Sequence, residues 1–438
     1  MWLLPLFPRI AAFATKTFYR TTITGGDIPR DGPLLLVGNH PNSLLDPLFL
    51  AAVAGRPVRF LAKAPLFGNP WTAWAVKSVG AIPVYRPRDN PDLVSRNESM
   101  FRAAHEALLA RAAIGIFPEG MSHDAPSIAP LRTGAARIAL GARTRLGHSI
   151  PIIPVGLVLR KKEEFRSEAH VLVGEPVRWD DIDGQEDSAQ AVKELTARID
   201  KSLRRVTLNL EQWEDAPLVA VAEAIYVAEL GAVPESGTLV DRWREAARIL
   251  SAGRRDGDPE VTELVREIRR HARALDLFGL RPADLRAKAD VLSAARWSAR
   301  KITLPLEITV AVLGAAIFWM PYNLTALVAS RAPADGAGRA SVKLVAGAGL
   351  FLVWIALLGV IAWRLGGWAA GAATLAVLPV LALATLTLLE RSGDAWGDAR
   401  RFFLLRSRKR ALEELRLRQM DLARTLSVLR DRTSSAPR

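Results

Sequence analysis

The chain has 438 residues, of which 50% are hydrophobic and 24% charged, and its 59 Lys+Arg against 45 Asp+Glu give a net charge of +14. That length suggests two or three segments, and the basic balance, joined to a mean hydropathy of +0.13, favours a membrane surface over nucleic acid as the anionic partner. There is no Cys, which excludes disulfides, a thiolate nucleophile and a Cys-ligated metal.

Residues 1–22 are apolar but lack the basic start of a signal peptide, and Pro5 and Pro8 break the run. The stretch is too short and too interrupted to span a bilayer. Trp2, Leu3, Leu4, Leu6, Phe7, Ile10, Phe13 and Phe18, with Arg9, Lys16 and Arg20, fit an interfacial helix. A helix docked on its own domain would carry the same pattern.

From about residue 23 to 177, apolar runs alternate with helical stretches. Strands are expected at 34–37, 58–62, 81–85, 114–117, 150–156 and 170–173, and helices notably at 93–113 and 134–145. This is the pattern of an α/β domain, a sheet flanked by helices.

The most informative turn follows the first of these strands and reads Gly38-Asn39-His40-Pro41-Asn42-Ser43-Leu44-Leu45-Asp46-Pro47. A strand that ends in a polar turn and runs into a helix is where α/β folds place their chemistry. Six residues make about 600° of helix, so His40 and Asp46 would not share a face if both were helical. They meet only if His40 sits on the turn and Asp46 on the first turns of the helix, and Pro41 favours that break. A carboxylate behind an imidazole fixes its tautomer and equips it as a general base for a hydroxyl. The plainer reading is a helix-capping His beside a solvated acid.

Three more blocks follow. Gly80-Ala81-Ile82-Pro83-Val84-Tyr85-Arg86 delivers Arg86, with Arg88 close behind, to a strand end, where a guanidinium grips phosphate. An ordinary salt bridge is the alternative for Arg86. Lys63 also follows a strand, as a phosphate contact or a solvated cation. Ile116-Phe117-Pro118-Glu119-Gly120-Met121-Ser122-His123-Asp124 is another strand entering a tight turn. Glu119 is expected to accept from substrate hydroxyls, and Gly120 lets backbone approach a ligand. Pro130 to Ala136, with Arg132, opens a helix whose N-terminus suits an anion. Ile150-Pro151-Ile152-Ile153-Pro154-Val155-Gly156 reads as a buried strand that shapes the pocket.

Taken together, Asn39-His40…Asp46, Gly80-Ala81-Ile82…Arg86, Phe117-Pro118-Glu119-Gly120 and 150–156 resemble the glycerol-phosphate and lysophospholipid acyltransferase family, the PlsC-type superfamily. The resemblance covers about 23–177. It implies a mixed sheet flanked by helices, a glycerolphosphate-acyltransferase-like fold. It also implies His40 and Asp46 as the catalytic pair, with Asn39, Lys63, Arg86, Glu119, Gly120, Ser122 and Arg132 binding substrate. Two departures from the family pattern matter. The first block is His-x5-Asp rather than His-x4-Asp, and the third continues Met121-Ser122-His123-Asp124 where many lysophosphatidate acyltransferases have Thr-Arg-Ser. Both look like the branch acting on glycerol 3-phosphate or dihydroxyacetone phosphate. The Arg missing from the third block leaves Arg86, Lys63 or Arg132 to hold the phosphate.

The implied reaction moves an acyl group from acyl-CoA or acyl-carrier protein to that hydroxyl in phospholipid biosynthesis. No acyl-enzyme is expected, because Cys is absent and no Ser elbow is evident. No metal and no bound cofactor are expected, and nucleic acid is not an expected partner. A lysophosphatidate or other lysophospholipid acceptor is the rival within the class. A non-catalytic lipid-binding scaffold is the rival outside it, and the intact His40, Asp46, Arg86 and Glu119 speak against that.

The second half changes character. Val192, Leu195, Ile199, Leu203 and Val206 fall at helical spacing, and 216–300 continues in an Arg-, Glu-, Ala- and Leu-rich style. The charge run 266–273 reads as a solvated face, or as a contact with acidic headgroups. The runs 342–363 and 368–389 are long enough to cross a hydrocarbon core. Arg364-Leu365-Gly366-Gly367 joins them as a tight hairpin, with Trp363 and Trp368 at interfacial positions.

The stretch 304–328 carries Glu307 and Pro321. The basic tail (Arg400, Arg401, Arg406, Arg408, Lys409, Arg410) and the connection with Arg331, Arg339 and Lys343 belong on the cytoplasmic side. The catalytic domain joins them there if 304–328 is re-entrant or interfacial. The tail, with Phe402, Leu405, Leu412, Leu415 and Leu422, is expected as a basic amphipathic helix on anionic lipid. The expected divisions are 1–22, an acyltransferase domain 23–215, a helical region 216–300, a membrane region 301–390 and a tail 391–438. The expected location is a membrane of the bacterial inner-membrane kind.

Overall fold

The structure is a computed structural model. It describes residues 1–435 except 87–90, 160, 184–186, 211, 213–214, 232–238, 256, 287–302 and 333–335. The expectations for Arg88 and for 287–300 lie outside the described residues. The chain divides into two units.

The first unit, Met1–Trp213 with Gly237–Arg244 and Ala334–Ser341, is built on a seven-stranded mixed sheet. The strands are β1 (Arg20–Gly25), β2 (Leu34–Gly38), β3 (Val58–Lys63), β4 (Ile82–Val84), β5 (Ala113–Ile116), β6 (Ile152–Leu159) and β7 (Glu168–Val173). Their order is β1-β7-β6-β2-β5-β3-β4. Only β6 and β7 pair antiparallel, and the other neighbours are parallel. β2 is central and buried at every residue, as a continuous apolar run covered on both faces should be.

The parallel set β2, β3, β4 and β5 matters for function. Val37 sits beside Ile116, and Lys63 beside Val84. The carboxyl ends of these four strands therefore open on one edge of the sheet, where α/β folds bind ligands. The helices α1 (Phe7–Phe18), α2 (Leu45–Ala54), α3 (Pro70–Ser78), α4 (Asn97–Leu109), α5 (Gly134–Leu146) and α6 (Ala189–Val206) complete this unit.

Two elements depart from the sequence reading. Arg20–Gly25 is a strand, so the N-terminal helix ends at Phe18. β1 is largely exposed, which is why its Arg-Thr-Thr-Ile-Thr-Gly sequence carries no buried-strand signature. Helix α3, opened by Pro70 behind Asn69, whose side chain accepts from the Trp71 and Thr72 N–H groups, is the other. Its apolar residues do not fall on one buried stripe.

The second unit is helical. Its elements are α7 (Asp215–Leu230), α9 (Pro259–Phe278), α10 (Leu304–Arg331), α11 (Gly336–Ser407) and α12 (Lys409–Ser435), with most of α8 (Leu239–Arg255). Leu304–Arg331 and the stretch Gly338–Arg391 within α11 are long and apolar enough to cross a membrane. α11 breaks at Gly367, whose φ of 78° and ψ of −179° leave the helix; such angles suit Gly alone. The two arms then fold back on each other, with Gly359 against Leu375 and Gly371 against Trp363. This is the expected hairpin.

α10 is one continuous helix rather than a segment that turns back. It runs antiparallel along the first arm, where Trp354 Nε1 donates to the Ile317 carbonyl at 3.0 Å and Phe351 stacks on Phe318. The sequence reading expected it re-entrant or interfacial, and a continuous helix is not re-entrant. The small and apolar face through Gly314 and Phe318 is what packs it into a bundle, Gly314 lying against Thr385 of the second arm.

The tail also differs. The α12 face through Leu412, Leu415 and Leu422, expected on lipid, is buried. Leu412 and Leu415 join Leu275, Leu280 and Leu285 in one cluster. Gln419, fully buried, accepts or donates toward His271, Glu229 and the Pro282 carbonyl. In the charge run of α9, Arg266 and Arg270 pair with Glu263 and Glu267 one turn earlier, the solvated face.

Candidate active site

His40 lies two residues beyond β2 and Asp46 is the second residue of α2. The turn between them is tight enough to force Ser43 to a φ of 51°, a strained angle for a residue with a side chain. The Ser43 N–H is satisfied by the Ser122 hydroxyl at 3.1 Å. That turn brings His40 Nδ1 to 2.7 Å from Asp46 Oδ2. The Asn42 N–H donates to the same oxygen at 2.7 Å.

Nδ1–H is thus the donor, and Nε2 keeps its lone pair. Among the described residues no protein group takes Nε2. Asp46 is fully buried. Burial pushes its carboxyl above the usual carboxylate value, while His40, the Asn42 N–H and Lys162 pull it back. The imidazole is held in plane by Phe117, stacked at 4.3 Å with 12° between rings.

The backbone of His40 is gripped on both sides. Its N–H donates to Glu119 Oε1 at 2.8 Å, and its carbonyl accepts from the His123 N–H at 3.3 Å. Glu119 is buried, and its other oxygen accepts from the Ala129 N–H at 2.8 Å and from His123 Nε2. His123 Nδ1 in turn accepts from the Ala125 N–H at 3.1 Å, which puts the ring proton on Nε2. The carboxylate expected to meet a substrate hydroxyl is therefore occupied within the protein. Its position between two β-strand ends makes it a brace for the His40 turn.

Asn39 is likewise engaged. Its amide pairs with Leu157 on β6, donating to the carbonyl at 3.0 Å and accepting from the N–H at 2.7 Å. Ser122 serves Ser43, as above. These two, expected to bind substrate, also anchor the turn.

The cations fare differently. Arg86, just past β4, donates from Nη1 to the Gly120 carbonyl at 3.2 Å. Gly120 has a φ of 75°, and a Cβ there would lie 3.4 Å from Cγ of the exposed Arg132. Arg86 and Arg132 thus converge on one glycine. Lys63 ends β3, beside β4, and is exposed.

Two contributors escaped the sequence reading. Lys162 donates to the Pro41 carbonyl at 3.2 Å and pairs with Asp124. Tyr19, buried, donates to the Lys162 carbonyl at 2.5 Å and accepts from the Asn42 amide at 2.7 Å. Burial drives the Tyr19 phenol further up, out of any titrating range. Lys162 lies 121 positions from Pro41, so no local spacing reveals it. Among the described residues no cluster of His, Cys, Asp and Glu is arranged to hold a metal.

Comparison with known proteins fits this geometry. Residues 20–158 match the Acyltransferase family model. Glycerol-3-phosphate O-acyltransferase 2 of Saccharomyces cerevisiae is 27% identical over 266 residues, 59% of this chain and 35% of that protein. The chloroplastic 1-acyl-sn-glycerol-3-phosphate acyltransferase BAT2 of Brassica napus is 30% identical over 152 residues, 34% of this chain and 40% of that protein. The crystal structure of the 1-acyl-sn-glycerophosphate acyltransferase PlsC from Thermotoga maritima superposes with a TM-score of 0.35 at 20% identity, covering 45% of this chain and 79% of that one, a likeness too slight to define the fold. The chain spans about a third of the length of the yeast relatives it matches. The match to the Acyltransferase family model spans about a third of the chain and contains the His40 turn, Arg86 and Glu119.

Proposed function

We propose that the protein is a membrane-bound O-acyltransferase that moves a fatty acyl group from a thioester to a hydroxyl of a phosphorylated glycerol. The observation that carries this is the His40–Asp46 pair at 2.7 Å with Nε2 left available. Nε2 takes the proton of the acceptor hydroxyl as the oxygen attacks the thioester carbonyl. The tetrahedral intermediate collapses, the C–S bond breaks, and the thiolate leaves. The imidazolium, stabilised by Asp46, gives its proton to the departing thiolate, which leaves as the thiol and restores neutral His40. A positioned base contributes about 10²–10⁴-fold. Holding acceptor and thioester together supplies much of the remainder.

Arg86 and Arg132 at Gly120, with Lys63 on the neighbouring strand end, are the groups for the acceptor phosphate. Glu119, Asn39 and Ser122 position the His40 turn. The preferred acceptor is glycerol 3-phosphate or dihydroxyacetone phosphate, supported by the His-x5-Asp spacing and by the likeness to a protein named for glycerol 3-phosphate. The likeness to a 1-acylglycerol-3-phosphate acyltransferase supports lysophosphatidate as the second reading.

The α11 arms hold the protein in the membrane. Packing of α12 on α7 and α9 supports placing the tail and the helical region on one side of the membrane, the cytoplasmic one by their basic charge. The deciding experiment supplies labelled acyl-CoA, then acyl-carrier protein, to the protein in lipid with each of the three acceptors, alongside His40→Ala. Turnover of a small acceptor that His40→Ala abolishes supports the reading. Turnover of lysophosphatidate alone moves it to the second acceptor, and no His40-dependent turnover with any acceptor overturns it.

A further inference from the structure

Lys162 sits in the loop between β6 and β7, outside the residues 20–158 that match the family model. Its neighbours Lys161 and Glu164 form an ordinary surface pair, 61% and 59% exposed, whereas the Lys162 side chain is 13% exposed. The loop backbone is fixed from several sides. Arg166, at a φ of 63°, donates its N–H to the Phe18 carbonyl at 2.6 Å. Ser167 Oγ donates to the Lys161 carbonyl at 2.7 Å, and the Tyr19 hydroxyl donates to the Lys162 carbonyl at 2.5 Å. On this backbone the Lys162 side chain turns inward. Its ammonium donates to the Pro41 carbonyl, inside the turn between His40 and Asp46, and pairs with Asp124 of the Glu119 turn.

The charge that this ammonium balances is on Asp46. That carboxyl is fully buried, and only one of its oxygens is bonded. Oδ2 accepts from the His40 ring and from the Asn42 N–H, while Oδ1 has no hydrogen-bond partner among the described residues. A buried carboxylate so incompletely satisfied tends to take up a proton. A neutral Asp46 would no longer stabilise the imidazolium that forms when His40 takes the acceptor proton. The other titratable groups around the pair do not supply positive charge. Tyr19 stays a neutral phenol. Glu119 on the His40 N–H is a second acid, with His123 engaged on it, and Asp124 is a third. Among the described residues, Lys162 is the cation besides the imidazole whose charge acts on Asp46.

We infer that Lys162 is a positioning residue for the proposed reaction: held between the Pro41 carbonyl and Asp124, its ammonium keeps Asp46 ionised and the His40–Asp46 pair free to take the acceptor proton. This role depends on His40 being the base proposed above. Electrostatics fixes its sign. A proton on either member of the pair adds one positive charge near the ammonium, so Lys162 opposes protonation of the pair whichever site the proton occupies. The pair therefore stays free of that proton to lower pH than it would without Lys162. Asp124 offsets part of the ammonium's charge, so removing Asp124 strengthens the effect.

The test uses the full-length protein in lipid, as the parent, Lys162→Met, Lys162→Arg and Asp124→Asn. The acid limb of kcat/KM for labelled acyl transfer reports the protonation of the free enzyme. It should move to higher pH in Lys162→Met, stay near the parent's in Lys162→Arg and move to lower pH in Asp124→Asn. The acceptor KM should not change, and the alkaline plateau of Lys162→Met should fall far less than that of His40→Ala. A merely structural lysine would change stability or the plateau and leave the limb in place. Histidine NMR on the same proteins, with the His40 signal assigned by its loss in His40→Gln, follows the proton without turnover and should shift in the same directions. Midpoints that follow the charge at 162 without any His40-dependent turnover would keep the electrostatic role and remove the reaction. Midpoints that do not move in Lys162→Met, or in Asp124→Asn should Lys162→Met fail to fold, would overturn the inference. So would a rise in acceptor KM with the limb unmoved, the sign of a direct substrate contact.

Discussion

β2 and the arms of α11 are equally apolar in sequence and opposite in burial. Leu34, Leu35, Leu36 and Val37 are fully buried in the middle of the sheet, between β6 and β5. Leu352, Val353 and Leu365 are 69%, 67% and 85% exposed. The first set is a protein core. The second faces outward along a helical hairpin whose backbone hydrogen bonds are satisfied internally, the form in which a chain enters hydrocarbon. The catalytic unit, conversely, buries what ought to be wet. Asp46 and Glu119 are enclosed and held by N–H groups and imidazoles. Apolar residues outside and carboxylates inside set the two units apart.

The largest test of that contrast removes the base. His40→Ala should lower kcat/KM by about 10²–10⁴-fold, and His40→Gln, which keeps a donor toward Asp46, should lose activity equally while melting closer to the parent. A residual rate within tenfold of the parent would show that the buried pair is structural only.

Next comes the outer face of the hairpin. Val353→Arg should raise the free energy of membrane insertion by about 2.5–3.5 kcal/mol, seen as protein extracted by alkaline carbonate. Ala197→Arg on α6 should change nothing. If both variants stay equally membrane-bound, the exposed arm does not face lipid.

Glu119→Gln keeps the shape but removes the charge that binds His40 N–H, Ala129 N–H and His123. A loss of about 1.5–3 kcal/mol in stability is expected. The accompanying fall should be in kcat, with KM for the acceptor unchanged. A rise in KM alone would return Glu119 to a direct substrate contact.

The smallest effect is on the pH dependence of stability. The folded-state pKa of Asp46 is raised from its usual 3.8, so the folded chain holds this proton more tightly than the unfolded one. The contribution is fully present below that usual value and is lost as pH rises toward the raised one, by at most about 1.4 kcal/mol per pH unit. Asp46→Asn should flatten this slope in denaturant midpoints measured across pH. An unchanged slope would mean that the carboxyl is not perturbed.

Much of this was legible in the sequence because it is local. Four apolar runs, each followed at once by a polar turn, mark four parallel strand ends, and the His40–Asp46 geometry follows from a single break in a single turn. What was not legible is set by residues far apart. Asn39 looked like a substrate contact because its partner, Leu157, lies on another strand. Glu119 looked free because nothing in Phe-Pro-Glu-Gly announces that the His40 N–H will arrive from 79 positions away. Lys162 and Tyr19 sit outside every motif. The α12 leucines show a helix periodicity, and periodicity gives a buried face without saying whether lipid or protein covers it. Here the partners are α7, α9 and the turn that follows α9.

The central claim is that His40 and Asp46 act as one unit. Measuring kcat/KM for His40→Ala, Asp46→Asn and the double variant, in one lipid preparation with one labelled thioester, tests it most directly. Groups that work only together give non-additive losses. The account predicts that the double variant is no slower than His40→Ala alone. If the two single losses multiply in the double variant, each residue acts separately and the dyad mechanism is wrong.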